Sequence, residues 1–261
     1  MFSMETLITV LVCLLAGLGA GLGTGFAGLS AAAVISPMLI TFLGMDPYQA
    51  VGIALASDVL ASAVSAFTYW KNKNIDIRNG VLMMAFVLIF TMIGSYASSL
   101  IESTTMGNFS VFMTMLLGIK FILKPVMTTK EKMASVSASK RAVQSVICGA
   151  MIGFICGFVG AGGGMMMLLV LTSVLGYELK TAVGTSVFIM AFTALTGALS
   201  HFALSGAPDW TVLVLCVLFT LLFARIGARI ANKAETRKLN RMTGVILLIL
   251  GIVVIGFNLI A

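Results

Sequence analysis

Long apolar runs fall at about 6–44, 48–70, 79–100, 106–123, 142–176, 181–204, 210–226 and 242–261, with short polar stretches between them. A helix needs about 20 apolar residues to cross a bilayer, so the pattern predicts a bundle of membrane helices. Transmembrane strands would alternate polar and apolar positions over about ten residues, and no run does so. Six runs fit one crossing each. The other two, 6–44 and 142–176, are too long for one span and short for two.

The basic residues decide how those two runs behave. They sit at Lys71, Lys73 and Arg78, at Lys120, Lys124, Lys130, Lys132, Lys140 and Arg141, at Lys180, and in the cluster from Arg225 to Arg241. If each long run crosses once, that last cluster lies outside, against the positive-inside rule. If each run turns back, as two short helices or a re-entrant hairpin, all 16 basic residues are cytoplasmic and Glu5, Asp46, Glu102 and Asp209 are external. The second count satisfies the rule. It gives ten membrane segments with both termini outside. Met1–Glu5 has no basic residue of the kind that opens a signal peptide.

Residues 132 apart match. Gly21 pairs with Gly153, Gly25 with Gly157, Phe26 with Phe158 and Gly28 with Gly160. Leu43–Gly44 pairs with Leu175–Gly176, and Ala50–Gly52 with Ala182–Gly184. One inserted residue later, Asp76 pairs with Asp209, Gly94 with Gly227 and Gly118 with Gly251. The basic loop at 71–78 corresponds to 205–209, which has no basic residue, so the halves face opposite ways. The fold expected is an all-α polytopic membrane protein of two inverted repeats, 1–125 and 142–261, joined by a cytoplasmic linker at 126–141. Each repeat has about five segments, the first two short, Gly-broken or re-entrant. Secondary transporters share this architecture, with the substrate near the midplane where the broken segments meet.

Composition narrows the function. The chain is 60% hydrophobic and 10% charged, against about 25% charged in a soluble domain, which excludes a soluble enzyme, a disordered chain and a disulfide-stapled module. Topology accounts for the net charge of +7 without a nucleic-acid partner. No nucleophile–base pair, P-loop or His/Asp cluster is present, so the reading is no enzyme and no cofactor. Cys13, Cys148, Cys156 and Cys216 lack C-x-x-C spacing, His201 stands alone, and Met165–Met167 read as gap-fillers, so no metal is expected. Trp70 and Trp210 read as interfacial anchors.

The chemistry is expected at the breaks. Gly21–Ser30 and Gly157–Gly164 are glycine-rich, and a helix starting just after such a turn offers free N–H groups to an anion. The candidate substrate contacts are Gly25, Gly28, Ser30, Gly160, Gly162, Gly163 and Gly164. The competing use of these glycines is close helix packing, through Gly17/Gly21, Gly21/Gly25 and Gly160/Gly164. Residues 23–28 fit G-x-G-x-x-G, but no strand precedes them, so a dinucleotide site is excluded. Asp58, beside Ser57 and near Ser62 and Ser65, is the acidic residue well inside a span. A charge there costs at least about 2.5 kcal/mol, which marks Asp58 and Ser57 for proton coupling or Asp58 for a structural hydrogen bond. Its counterpart is Met190. Thr185 and Ser186 would add hydroxyls to the site, or bond their own helix.

The glycine run Gly157–Gly164, then Leu175–Gly176 and Ala182-Val183-Gly184-Thr185-Ser186, with a weaker copy at Gly21–Gly52, resembles the TauE/SafE-type sulfite exporter family. The resemblance implies a permease for small sulfur-containing anions such as sulfite or a sulfonate in a prokaryotic inner membrane. The first half departs from it, with Ile53–Ala54 in place of Thr–Ser, so a single asymmetric site weighted to the second half is expected. The partners are then a small anion, the lipid bilayer and a proton or cation. A channel of the same architecture is the alternative, and the sequence leaves a homo-oligomer open.

Overall fold

The computed structural model describes residues 4–98, 115–116, 119–135, 137–159, 163–205 and 207–260. They form α1 (Met4–Ala27), α2 (Ala32–Leu43), α3 (Pro47–Lys71), α4 (Ile77–Ser98), the short α5 (Lys130–Ala134), α6 (Ala138–Val159), α7 (Gly163–Ser173), α8 (Leu179–Ser205), α9 (Trp210–Lys233) and α10 (Thr236–Ile260). No strand occurs among the described residues. Among the described residues, five helices are long and apolar enough to cross a membrane, in α1, α3, α4, α8 and α9. The protein is a polytopic, all-helical membrane protein. Large apolar side chains such as Leu15, Met92, Leu199 and Leu218 are exposed on its flanks, as a surface facing lipid requires. Trp70 and Trp210 are exposed at helix ends.

Both long runs turn back, but unequally. Of the first two segments of each half, expected to be short, Gly-broken or re-entrant, the leading one is a long helix. α1 has 24 residues and α6 has 22, about 36 and 33 Å at the helical rise, so neither is short. Only α2 and α7, with 12 and 11 residues, are half-length. The reason lies in the partner helix. Gly17, Gly21 and Gly25 stay helical because α9 packs on them. A Cβ at Gly17 would fall 2.5 Å from Phe219 Cβ, one at Gly21 2.5 Å from the Thr220 carbonyl, and one at Gly25 2.6 Å from the Ala224 carbonyl. The chain bends only at Gly28, in the left-handed region at φ 64°. There Gly28 N–H donates to Thr24 O at 2.9 Å and Leu29 N–H to Gly23 O at 3.2 Å.

The progression of those contacts makes α1 and α9 parallel. Gly149 against Met83 and Gly153 against Val87 make α6 and α4 parallel, and α3 crosses α8 antiparallel, with Gly52 at Phe202, Leu55 at Gly197 and Tyr69 at Gly184. Contacts recur at the sequence offset. Gly21 approaches the Thr220 carbonyl as Gly153 approaches that of Val87, and Gly52 meets His201 Cβ as Gly184 meets Tyr69 Cβ. The caps recur too. α2 ends on the left-handed Gly44, and the turn that follows α7 carries the left-handed Gly176; Met45 N–H reaches Leu39 O at 3.3 Å and Tyr177 N–H reaches Leu171 O at 2.8 Å. Asp46 then caps α3 through Gln49 N–H, as Glu178 caps α8 through Thr181 N–H.

Candidate functional site

Asp58 lies midway along α3 and is 1% exposed. Ser30 Oγ–H donates to its Oδ2 at 2.7 Å and Ser62 Oγ–H to its Oδ1 at 2.9 Å. Ser30 and Ala31 lead straight into α2. The first turn of a helix carries unpaired N–H groups and the positive end of the dipole. That end of α2 therefore faces a carboxyl of its own chain, and two hydroxyl donors offset part of the cost of placing it there.

The second break meets the first at this point. A Cβ on Gly164 would lie 2.2 Å from Gly28 O, 2.5 Å from Met190 Sδ and 3.2 Å from Ser30 N. One on Gly28 would lie 2.2 Å from Ser186 Oγ. The turn before α2, the first turn of α7 and the Ser186–Met190 stretch of α8 are thus in backbone-close contact. Met190, the counterpart of Asp58, presses on the second break where Asp58 bonds the first, so the site is asymmetric.

The other candidates fall as follows. Gly163 opens α7 beside Gly164. Gly160 and Gly162 lie outside the described residues. Gly25 sits one turn before the bend with its Cα in the α1–α9 seam, and its carbonyl accepts the Tyr69 hydroxyl at 2.9 Å. Ser57 donates to Ile53 O at 2.9 Å and Ser186 to Val183 O at 2.9 Å, each within its own helix. Thr185 Oγ1 accepts Asp76 N–H at 3.1 Å, which ties it to the α3–α4 loop. Thr24 escaped notice in the sequence: its buried hydroxyl lies 2.7 Å from Leu29 O and 2.9 Å from Ala20 O, bracing the bend. A threonine inside a glycine run was the signal. Tyr69 holds the Gly25 carbonyl from 44 residues further along the chain, a contact that no local sequence pattern shows.

The profile of the sulfite exporter TauE/SafE family matches residues 13–254. The chain belongs to this family. Its curated relatives include the probable membrane transporter protein YunE of Bacillus subtilis, 25% identical over 90% of this chain and 93% of the relative. A probable membrane transporter protein of Haemophilus influenzae is 26% identical, over 88% of each chain, and one of Methanocaldococcus jannaschii is 24% identical over 78% and 77%. No solved structure matches. A TauE/SafE-type membrane transporter is therefore the coarse assignment, and the names of these relatives describe transport rather than catalysis.

Proposed function

We propose that this TauE/SafE-family protein is a secondary transporter that exports a small sulfur-containing anion, such as sulfite or a sulfonate, with Asp58 as its proton-coupling group. The observation that carries this is the convergence of Gly28–Ser30, Gly164, Ser186 and Asp58 inside the bundle. Two half-length helices begin there, and no Lys or Arg occurs within the apolar stretches around these residues. Backbone N–H groups and hydroxyls hold the anion. Neutral dipoles bind loosely, which suits a carrier that must release its cargo.

The repeats 1–125 and 142–261, with the linker 126–141, act as two inverted halves. The exchanged contacts Gly21–Thr220 and Gly153–Val87 support this, as do the paired left-handed glycines Gly44 and Gly176. Both termini lie outside a prokaryotic inner membrane and the basic loops lie inside, where they concentrate anions. In proteoliposomes preloaded with unlabelled methanesulfonate or sulfite, labelled anion is expected to enter by saturable counterflow. Conductive flux without counterflow would point to a channel. No flux of any organosulfur anion through folded protein would overturn the reading.

A further inference from the structure

One carboxyl ties together the end of the bundle that carries the basic loops. Asp76 caps α4, with its Oδ1 accepting Asn79 N–H at 3.2 Å and its Oδ2 accepting Asn79 Nδ2–H at 2.7 Å. The same Oδ2 accepts the Tyr177 hydroxyl at 2.8 Å, and Arg141 Nη1 stands 3.8 Å away. The Arg141 guanidinium lies over the Tyr177 ring at 5.7 Å, and Asp76 N–H reaches Thr185. A single first-half residue thus holds α6, the α7–α8 corner and α8. Thr185 adjoins Ser186, against which Gly28 rests, so the tie continues into the proposed binding turn.

This tie leaves donors and acceptors unpaired. Arg141 Nε, Ser145 Oγ and Asn74 Oδ1 are buried without a hydrogen-bond partner, and each such group costs about 1–3 kcal/mol. Arg141 Nη2 donates to Met133 O, while its contact with Asp76 is too long for a bidentate fork. A guanidinium with an unclaimed Nε edge suits an oxyanion, which can take two parallel N–H···O bonds. Ser145 stands one turn further along the same face of α6 and is fully buried.

We propose that Arg141 is an oxyanion receptor at the inner mouth of the transporter and that Asp76 competes with the anion for it. With Asp76 on Arg141 the mouth is shut. An arriving oxyanion takes the guanidinium and Ser145, frees Asp76, and loosens its ties to Tyr177 and Thr185. The opposite end has no matching lock: the offset places Asp209 and Thr9 where Asp76 and Arg141 stand, and these two residues with Glu5 line a cleft of about 710 Å³. The substrate half of the proposal rests on the anion-transport reading above.

Cys148 reports on this directly, because it follows Arg141 by seven residues on the same face of α6 and is 7% exposed. The experiment labels it with an impermeant maleimide from the basic side, in full-length protein in proteoliposomes with Cys13, Cys156 and Cys216 changed to Ser. Asp76→Asn is expected to raise the labelling rate about tenfold without any anion, a normal size for two-state coupling. Tyr177→Phe, which leaves the α4 cap intact, should raise it in the same direction. Methanesulfonate should speed labelling of the Asp76-bearing protein more than chloride at equal ionic strength, and should lose that effect in Arg141→Lys, which keeps the charge but lacks the fork. Unchanged labelling in both Asp76→Asn and Tyr177→Phe would overturn the lock. An equal effect of chloride, or an undiminished response in Arg141→Lys, would overturn the receptor. The lock variants need no transported anion, so their result stands apart from any failure of the counterflow assay.

Discussion

At the scale of single residues, the missing side chains of three glycines make the account testable. Gly164 and Gly21 have backbone carbonyls where a Cβ would go, at 2.2 and 2.5 Å, whereas nothing lies within 4 Å of the Cβ position at Gly256. Overpacking of this kind costs about 1–3 kcal/mol. Gly164→Ala and Gly21→Ala should therefore lower the thermal midpoint of the detergent-solubilised protein by several degrees. Gly256→Ala should leave it unchanged or raise it slightly, because Ala suits a helix better than Gly. Equal midpoints for all three would contradict the packing. Polarity at this scale was legible: Asp58 stood out as an intramembrane carboxyl with serines around it. Its partner Ser30, 28 residues away, is marked in the sequence by the glycine run that it follows.

At the scale of helices, the sequence pointed to the breaks but misplaced where the helix stops. Glycines 17–25 read equally well as a broken segment or as a packing stripe, because the difference lies in Phe219, Thr220 and Ala224, about 200 residues further on. A glycine run unwinds when water or a ligand takes its backbone, and stays helical when another helix fills its groove. The turns after α2 and α7 were easier. Leu43–Gly44 and Leu175–Gly176 appeared in the repeat, and both glycines take a left-handed φ. The two parallel seams, α1 on α9 and α4 on α6, are expected to act as separate units. Gly21→Val and Gly153→Val should each destabilise the protein, and the double variant should lose about the sum of the two, measured as thermal midpoints of purified protein. A double variant no worse than the poorer single one would mean that the seams form one cooperative unit.

For the whole molecule, the charge pattern was the more legible part. Loops 71–78, 126–141, 177–180 and 232–240 come together at one end, linked by Asn74 to Asn232 at 2.6 Å, Lys180 to the Asn232 carbonyl at 2.9 Å, Lys130 to the Lys73 carbonyl at 3.1 Å and Asn240 to the Val126 carbonyl at 3.0 Å. The tie at Asp76 was not legible, because an acid in a basic loop looks like surface charge until Arg141 and Tyr177 arrive from the other half. Cysteines introduced at Lys73 and at Glu5 should react with an impermeant maleimide from opposite sides of the membrane, the former from the cytoplasm. Reaction of both from one side would contradict the proposed topology.

The central claim is that an anion and the Asp58 carboxyl share the N-terminal turn of α2. It is tested most directly by methanesulfonate counterflow measured across pH in wild-type protein and in Asp58→Asn. The account predicts a pH-dependent rate in the wild type and a flat profile in the variant, with counterflow itself retained. The same pH dependence in both proteins would remove Asp58 from coupling.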